Sequence, residues 1–383
     1  MPEAARPLFQ AWLEETACRR EQLGLRRTPG PKPVMADLLD FASNDYLGLS
    51  QDPRVLDGAT LALKEFGAGS TASRLVTGTT ELHEALEGNL AAFFGSEAAL
   101  VFSSGYLANL AAVSALGGSD ALIVSDAGVH ASLIDACRLS RSRVVVVPSD
   151  SVEAARRALA DRAEPRALVV VDSVSSVDGS LAPLTELHQV CQEFGAVLVA
   201  DEAHALGVVG PGGRGHAHAC GLAGKPDVVL TATLSKSLGG QGGAVLSSGA
   251  VREHLLNTAR SFIFDTALAP ASVGAAAAAL AVLAAEPSLA QHVRERSLEL
   301  AELLGLPEPP QSSVLSVVLG DPSLAVAVAA ACREQGVLVG CFRPPSVPEG
   351  TSRVRFAVKA SHTSADVRRA AEVFHESRRI CQR

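Results

Sequence analysis

Val197-Leu-Val-Ala-Asp-Glu-Ala-His204 opens as a short strand, apolar on both faces, and runs straight into an acid and, three residues on, an imidazole. An apolar run without alternation is the mark of a strand covered on both sides, as in a parallel sheet. The same pattern recurs at 99–102, 121–124, 144–147, 168–171 and 228–231, so each of these reads as a further buried strand. Segments of helical length lie between most of them. One spans 152–159, and another spans 184–194, entering through Pro183 and Thr185 and leaving at Gly195. Strands alternating with crossover helices predict an α/β fold with a largely parallel sheet.

The ends of the chain read differently. An amphipathic helix is predicted over 9–23, followed by an arm over 26–33 whose prolines forbid helix. After a helix over 271–285 come a strand at 314–319, a helix at 324–334, strands at 337–340 and 353–358, and a closing helix from Ser364. The expected organisation is therefore an N-terminal helix and arm (1–45), a large domain (46–285) and a smaller α+β domain (286–383).

The 383 residues carry 33 Lys+Arg against 41 Asp+Glu, a net charge of −8. That balance argues against a nucleic-acid partner, which needs a basic face for phosphates. The N-terminus lacks an apolar run behind a basic start, and the apolar stretch 271–285 is mostly alanine and too short to span a bilayer. No membrane role is expected. Seven scattered cysteines without Cys-x-x-Cys spacing suit a reducing cytosol better than disulfides or zinc, so the expected location is cytoplasmic.

Lysine occurs only five times, and Lys236 has an unusual setting: it follows the strand at 228–231 among Thr233, Ser235, Ser237 and glycines. Small hydroxyls and open backbone suit a phosphate, and an amine at a strand end can form a Schiff base with an aldehyde. A Walker A loop is excluded because no Gly-x-x-x-x-Gly precedes the Lys-Ser pair. Asp201 stands at the carboxyl end of its strand, where open α/β sheets bind ligands, and can pair with a protonated pyridine nitrogen. His204 can reach a phenolic oxygen on the same ring. No second histidine stands nearby at metal spacing, so no metal is expected. His130, beyond another strand end, has the flat shape to stack on a planar ring. Gly105 and Tyr106, in Ser103-Ser-Gly-Tyr106, offer amides at a helix start for a phosphate. Four strand ends thus converge on one anionic aromatic aldehyde, and pyridoxal 5′-phosphate meets that description. Gly67-Ala-Gly-Ser-Thr-Ala72 fits a dinucleotide fingerprint only formally, since it follows a helical segment rather than a strand.

Longer motifs point the same way. Ser43-Asn-Asp-Tyr-Leu-Gly-Leu49, Ser73-Arg-Leu-Val-Thr-Gly78, His130-Ala-Ser-Leu133, Asp201-Glu-Ala-His204, Thr233-Leu-Ser-Lys236 and Arg343-Pro-Pro-Ser-Val-Pro348 occur in this order across most of the chain. The sequence resembles the α-oxoamine synthases, pyridoxal-phosphate enzymes of fold type I with a large domain around a mostly parallel sheet and a smaller C-terminal domain. The resemblance implies that Lys236 carries the cofactor, Asp201 pairs with its ring nitrogen, His204 and Ser176 contact ring substituents and His130 stacks. It also implies that Gly105, Tyr106 and Thr233 bind the phosphate, and that Thr266 reaches the phosphate of a neighbouring subunit in a homodimer with shared active sites. Arg26, Arg343 and Ser346 match substrate-binding positions, the arginines suited to carboxylates. Within the family, the motif wording fits best a member that condenses L-alanine with pimeloyl-CoA or a pimeloyl carrier protein and releases carbon dioxide. A glycine- or serine-using synthase, or a non-catalytic homologous subunit, is the alternative. Two segments depart from the family pattern: Asp172-Ser-Val-Ser-Ser-Val-Asp-Gly179, which begins on Asp where Glu is common, and Pro148-Ser-Asp150, where His-Asn-Asp is common.

Overall fold

The structure is a computed structural model that describes residues 8–27 and 38–382. Its strands, in chain order, are β1 (Leu39–Phe41), β2 (Ala98–Phe102), β3 (Ala121–Asp126), β4 (Arg143–Val147), β5 (Arg166–Asp172) and β6 (Val197–Asp201). They continue with β7 (Val228–Thr233), β8 (Gly243–Ser247), β9 (Val314–Gly320), β10 (Val337–Phe342) and β11 (Ser352–Ala357). Strands β2 to β8 form one sheet in the order β2-β8-β7-β6-β5-β3-β4, and the other four form a second sheet in the order β1-β10-β11-β9.

Within the large sheet only β8 runs against its neighbours. Helices Gly105–Leu116, Ala131–Leu139, Val152–Ala160 and Leu184–Phe194 carry the chain back between strands. Because the remaining strands share a direction, β2, β3, β5, β6 and β7 all end on one edge. That edge is where polar side chains follow the apolar runs. Both faces of the sheet are covered: Leu122, Val169, Leu198 and Leu230 point into one core, and Ile123, Leu168, Val199 and Val229 into the other. Period-two alternation along each strand sends these neighbours to opposite sides.

Three features differ from the sequence reading. The valine run of β4 reads as a buried strand, yet β4 is the sheet edge and Val146 is 65% exposed. Composition is the same for a central and an edge strand; only pairing separates them. Strand β8 escapes notice because its glycine-rich approach looks like a loop. Gly243 is required there: a Cβ on it would lie 2.5 Å from the Gly105 Cα, so only glycine lets β8 pass beneath the start of helix Gly105–Leu116. The N-terminal helix, Leu8–Gln22, buries none of its residues. Leu8, Phe9, Trp12 and Leu13 crowd its first two turns and stay exposed instead of forming a stripe along its length. The predicted arm over 26–33 lies, from residue 28 on, outside the described residues.

The smaller sheet recruits β1 from before residue 46, paired in parallel with β10. One of its faces packs Val354, Phe356, Leu315 and Val337 with Phe374 of the closing helix Ser364–Cys381. Its other face turns toward the large sheet. No single helix among the described residues is long and apolar enough to cross a membrane.

Candidate active site

A cavity of about 190 Å³ opens at the carboxyl edge of the large sheet, lined by residues from the ends of β2, β3, β5, β6 and β7. The structure brings Lys236, Asp201, His204, His130, Gly105, Tyr106 and Thr233 together around it.

Asp201, buried at the end of β6, is held from two sides. Its Oδ1 accepts the Ala203 N–H at 2.8 Å, and its Oδ2 accepts the Asn109 side-chain N–H at 2.7 Å. Asn109 cannot turn away, because its oxygen accepts from the Thr231 hydroxyl at 2.6 Å and its nitrogen also donates to the Ser132 hydroxyl at 2.8 Å. The network continues to His130. Its Nδ1 accepts from the Ser132 N–H at 3.3 Å and lies 2.7 Å from the Ser132 hydroxyl, which leaves the ring proton on Nε2. Burial pushes the His130 imidazole below its ordinary value, so the ring is neutral near pH 7.

Lys236 meets this cluster from the other side. Its Nζ lies 2.8 Å from His204 Nε2, and His204 Nδ1 lies 2.6 Å from the Tyr46 hydroxyl. Tyr46 in turn donates to Asn44 Oδ1 at 3.2 Å, and that oxygen also takes an Arg355 N–H at 2.5 Å. A consistent set of protons follows: Lys236 donates to Nε2, the ring proton on Nδ1 points to Tyr46, and Tyr46 points to Asn44. Burial, with the Lys236 and Arg355 charges beside it, holds His204 well below its ordinary value and keeps it an acceptor. Burial also lowers the Lys236 amine to about 8, opposed by Asp201 and Asp172 and reinforced by Arg355. Tyr46, wholly enclosed, is pushed up to about 12 by burial and stays protonated.

Asp172 ends β5 beside Asp201 on β6, the two being direct ladder partners. Desolvation and the neighbouring Asp201 carboxylate push Asp172 well above the usual carboxylate range. Its oxygens accept the His130 backbone N–H at 3.1 and 3.2 Å, anchoring the loop that carries the ring.

The donor set fits a phosphorylated pyridine aldehyde. Helix Gly105–Leu116 points its N-terminal amides at the cavity, with Tyr106 in its first turn. A Cβ on Gly105 would lie 3.0 Å from the Thr233 Cβ, so glycine lets that hydroxyl side chain sit against the helix start without a shift of either. An amine, the carboxyl groups of Asp201 and Asp172 and two neutral imidazoles share the lining.

The other predicted residues lie elsewhere. Ser176 sits in the turn after β5, and Val174 takes the cavity wall instead. Thr266 is exposed, in an isolated bridge with Ser73. Arg26 is exposed and paired with Glu21 at 3.1 Å. Arg343 donates to the carbonyls of Gly24 and Arg26, the latter at 2.7 Å, and so clamps the end of the N-terminal segment. Ser346 lines a second cavity, which adjoins the first through Asp172. Sequence reading assigned no role to Asn109, Ser132, Tyr46, Asp172 or Arg355. Arg355 alternates with the core residues Val354 and Phe356 on its strand, so its sequence position reads as an ordinary outward cation. It is buried, and its Nε has no hydrogen-bond partner.

Comparison with known proteins matches the pattern of the aminotransferase class I and II family over residues 36–374. An 8-amino-7-oxononanoate synthase of Mycolicibacterium smegmatis is 61% identical over 363 residues, 95% of each chain. Another, from Mycolicibacterium vanbaalenii, is 59% identical over 366 residues, 96% of each. Among solved structures, a serine palmitoyltransferase of Sphingomonas wittichii superposes with a TM-score of 0.91 at 32% identity, covering 98% of this chain and 99% of that one. An 8-amino-7-oxononanoate synthase of Francisella tularensis gives 0.76 at 26% identity, covering 88% and 97%.

Proposed function

Since the chain belongs to the class I and II aminotransferase family and to its 8-amino-7-oxononanoate synthases, pyridoxal-phosphate-dependent acyltransferases of biotin biosynthesis, we propose that it joins L-alanine to a pimeloyl thioester. The observation that carries the reading is the convergence of Lys236, Asp201 and His204 on one cavity beside the buried cation Arg355.

When bound, pyridoxal phosphate supplies an aldehyde that condenses with primary amines and a ring that stores an electron pair. Lys236 would hold it covalently. Gly105, Tyr106 and Thr233 would cradle its phosphate, and His130 would cover its face. Asp201, kept in place by Asn109 and the Ala203 amide, would hold a proton on the ring nitrogen. His204 would hydrogen-bond the ring hydroxyl. With L-alanine in place, the Lys236 amine would take the proton from the alanine Cα; its low proton affinity suits it to act as a base near neutral pH. Arg355 would bind the alanine carboxylate through the nitrogen left without a partner. The deprotonated carbon would attack the thioester carbonyl with release of the thiol. Loss of carbon dioxide from the β-keto acid would follow, with Lys236 placed to return the proton.

We place the acyl chain in the second cavity, with Ser346 on its wall, and assign residues 46–285 and 286–383 to the two domains that frame the site. Leu75, Val76 and Phe264 form an exposed apolar surface beside Thr266. A homodimer that covers it and brings Thr266 to the partner's phosphate site accounts for that surface. A cytoplasmic location accords with the seven free cysteines.

The test uses the purified holoenzyme, which is expected to absorb in the visible. Lys236→Ala should lose both that absorbance and turnover, and an unchanged spectrum refutes the role of Lys236. In a decarboxylative condensation assay with a pimeloyl thioester, alanine should be preferred to glycine and serine. A glycine preference would move the chain to another α-oxoamine synthase activity.

A further inference from the structure

The second cavity, about 550 Å³, is lined by apolar side chains such as Val129, Ile134, Val177 and Val347, and by one basic residue, Arg353. Arg353 Nε donates to the Thr351 carbonyl at 3.0 Å. Its two terminal nitrogens have no hydrogen-bond or ion-pair partner among the described residues. Asp178 is within electrostatic reach; its Oδ1 accepts from the Ser180 amide and hydroxyl at 3.3 and 2.9 Å, and no hydrogen bond or ion pair joins it to Arg353.

The position of Arg353 is set by strand geometry. Along β11, Val354 and Phe356 enter the core of the smaller sheet, so Arg353 and Arg355 share the opposite face. The ladder is regular across them: Arg353 faces Val318 and Phe342, and Arg355 faces Ser316 and Gly340. At a rise of about 3.4 Å per residue, the two arginines stand roughly 7 Å apart along the strand. Arg355 is buried near enough to Lys236 to act on its charge, and Arg353 lines the outer cavity.

We infer that Arg353 binds the carboxylate at the far end of the acyl chain, so that the enzyme selects thioesters with an ω-carboxylate over neutral chains of the same length. The inference rests on the proposed pimeloyl substrate and names the residue that reads its free end. The inner arginine takes the alanine carboxylate, the carbonyl carbon meets the alanine Cα between them, and the methylene chain runs along the apolar wall to Arg353. Asp126 and Asp172, two of the acids on that wall, are engaged by hydrogen bonds. Asp126 accepts from the Gly128 and Asp150 amides at 2.6 and 2.8 Å and from the Ser149 hydroxyl at 2.9 Å. Asp172 is engaged by the His130 amide. Together with Asp150 and Asp178 they disfavour a polyanion, so the cavity admits one terminal carboxylate and leaves a phosphorylated carrier outside.

Two measurements on the holoenzyme test this. The first is the ratio of kcat/KM for pimeloyl thioester to that for heptanoyl thioester, which has the same chain with a methyl end. Arg353→Met should lower the ratio roughly 10- to 100-fold, the scale of a charge-assisted hydrogen bond. Arg353→Lys should keep part of it, and the dissociation constant of L-alanine should not move. The second is calorimetric binding of free pimelate against heptanoate, which needs no turnover: the wild type should favour pimelate and Arg353→Met should not. An unchanged ratio, equal binding of the two acids by the wild type, or an equal loss of alanine affinity overturns the inference. If the wild type turns over neither thioester yet shows an Arg353-dependent preference for pimelate, the proposed substrate pair fails while the carboxylate site stands.

Discussion

The depressed proton affinity of Lys236 can be measured directly as the pH dependence of aldehyde capture by the apoprotein. Only the neutral amine is a nucleophile. An ordinary lysine near 10.5 is neutral in about three molecules per ten thousand at pH 7, whereas one near 8 is neutral in about one per ten. That ratio of neutral fractions corresponds to a rate advantage of roughly 300-fold at neutral pH. The sign follows from the surroundings: burial disfavours the ammonium and outweighs Asp201 and Asp172, which favour it. Stopped-flow mixing of apoprotein with pyridoxal phosphate from pH 6 to 11 should show the rate rising about tenfold per unit and levelling near 8. The same series with a free lysine derivative corrects for titration of the aldehyde. Asp201→Asn removes a charge that favours the ammonium, so its midpoint should lie below that of the wild type. A rate still climbing towards 10.5, or a midpoint raised by Asp201→Asn, would refute this account of the site.

Three other perturbations address the scaffold around that amine. Gly243→Ala places a methyl group 2.5 Å from the Gly105 Cα and should destabilise the fold by about 1–3 kcal/mol while weakening phosphate binding, read by chemical denaturation and cofactor affinity. Asn109→Leu removes the amide that holds Asp201 and satisfies Thr231 and Ser132; a stability loss of about 1–3 kcal/mol and weaker cofactor retention are expected. Tyr46→Phe leaves His204 Nδ1 without its 2.6 Å partner, so the capture rate of Lys236 should change its pH midpoint while the thermal unfolding temperature moves by only a few degrees. An unaltered pH midpoint would show that Tyr46 does not govern the imidazole.

The sequence by itself determined the parallel strands and the polar groups at their ends, because both are local. An apolar run such as 197–200 makes a strand buried on two faces, and the next residues must then emerge on the carboxyl edge where Asp201, His204 and Lys236 are found. Tertiary structure decided everything that depends on which strand neighbours which. It put β4 at the edge although its valines match those of central strands, threaded β8 through a glycine-rich stretch, and set Asp172 against Asp201. It also sent Arg343 to the carbonyls of Gly24 and Arg26, put Arg353 on the wall of the second cavity and buried Arg355 against Asn44 and Tyr46. A motif places a residue on its own element. The direction of a long side chain and the charge around it come from elements hundreds of residues away, as in the bond between Arg355 and Asn44. That is why the ends of the strands could be read in advance, and the surroundings of Arg343, Arg353 and Arg355 could not.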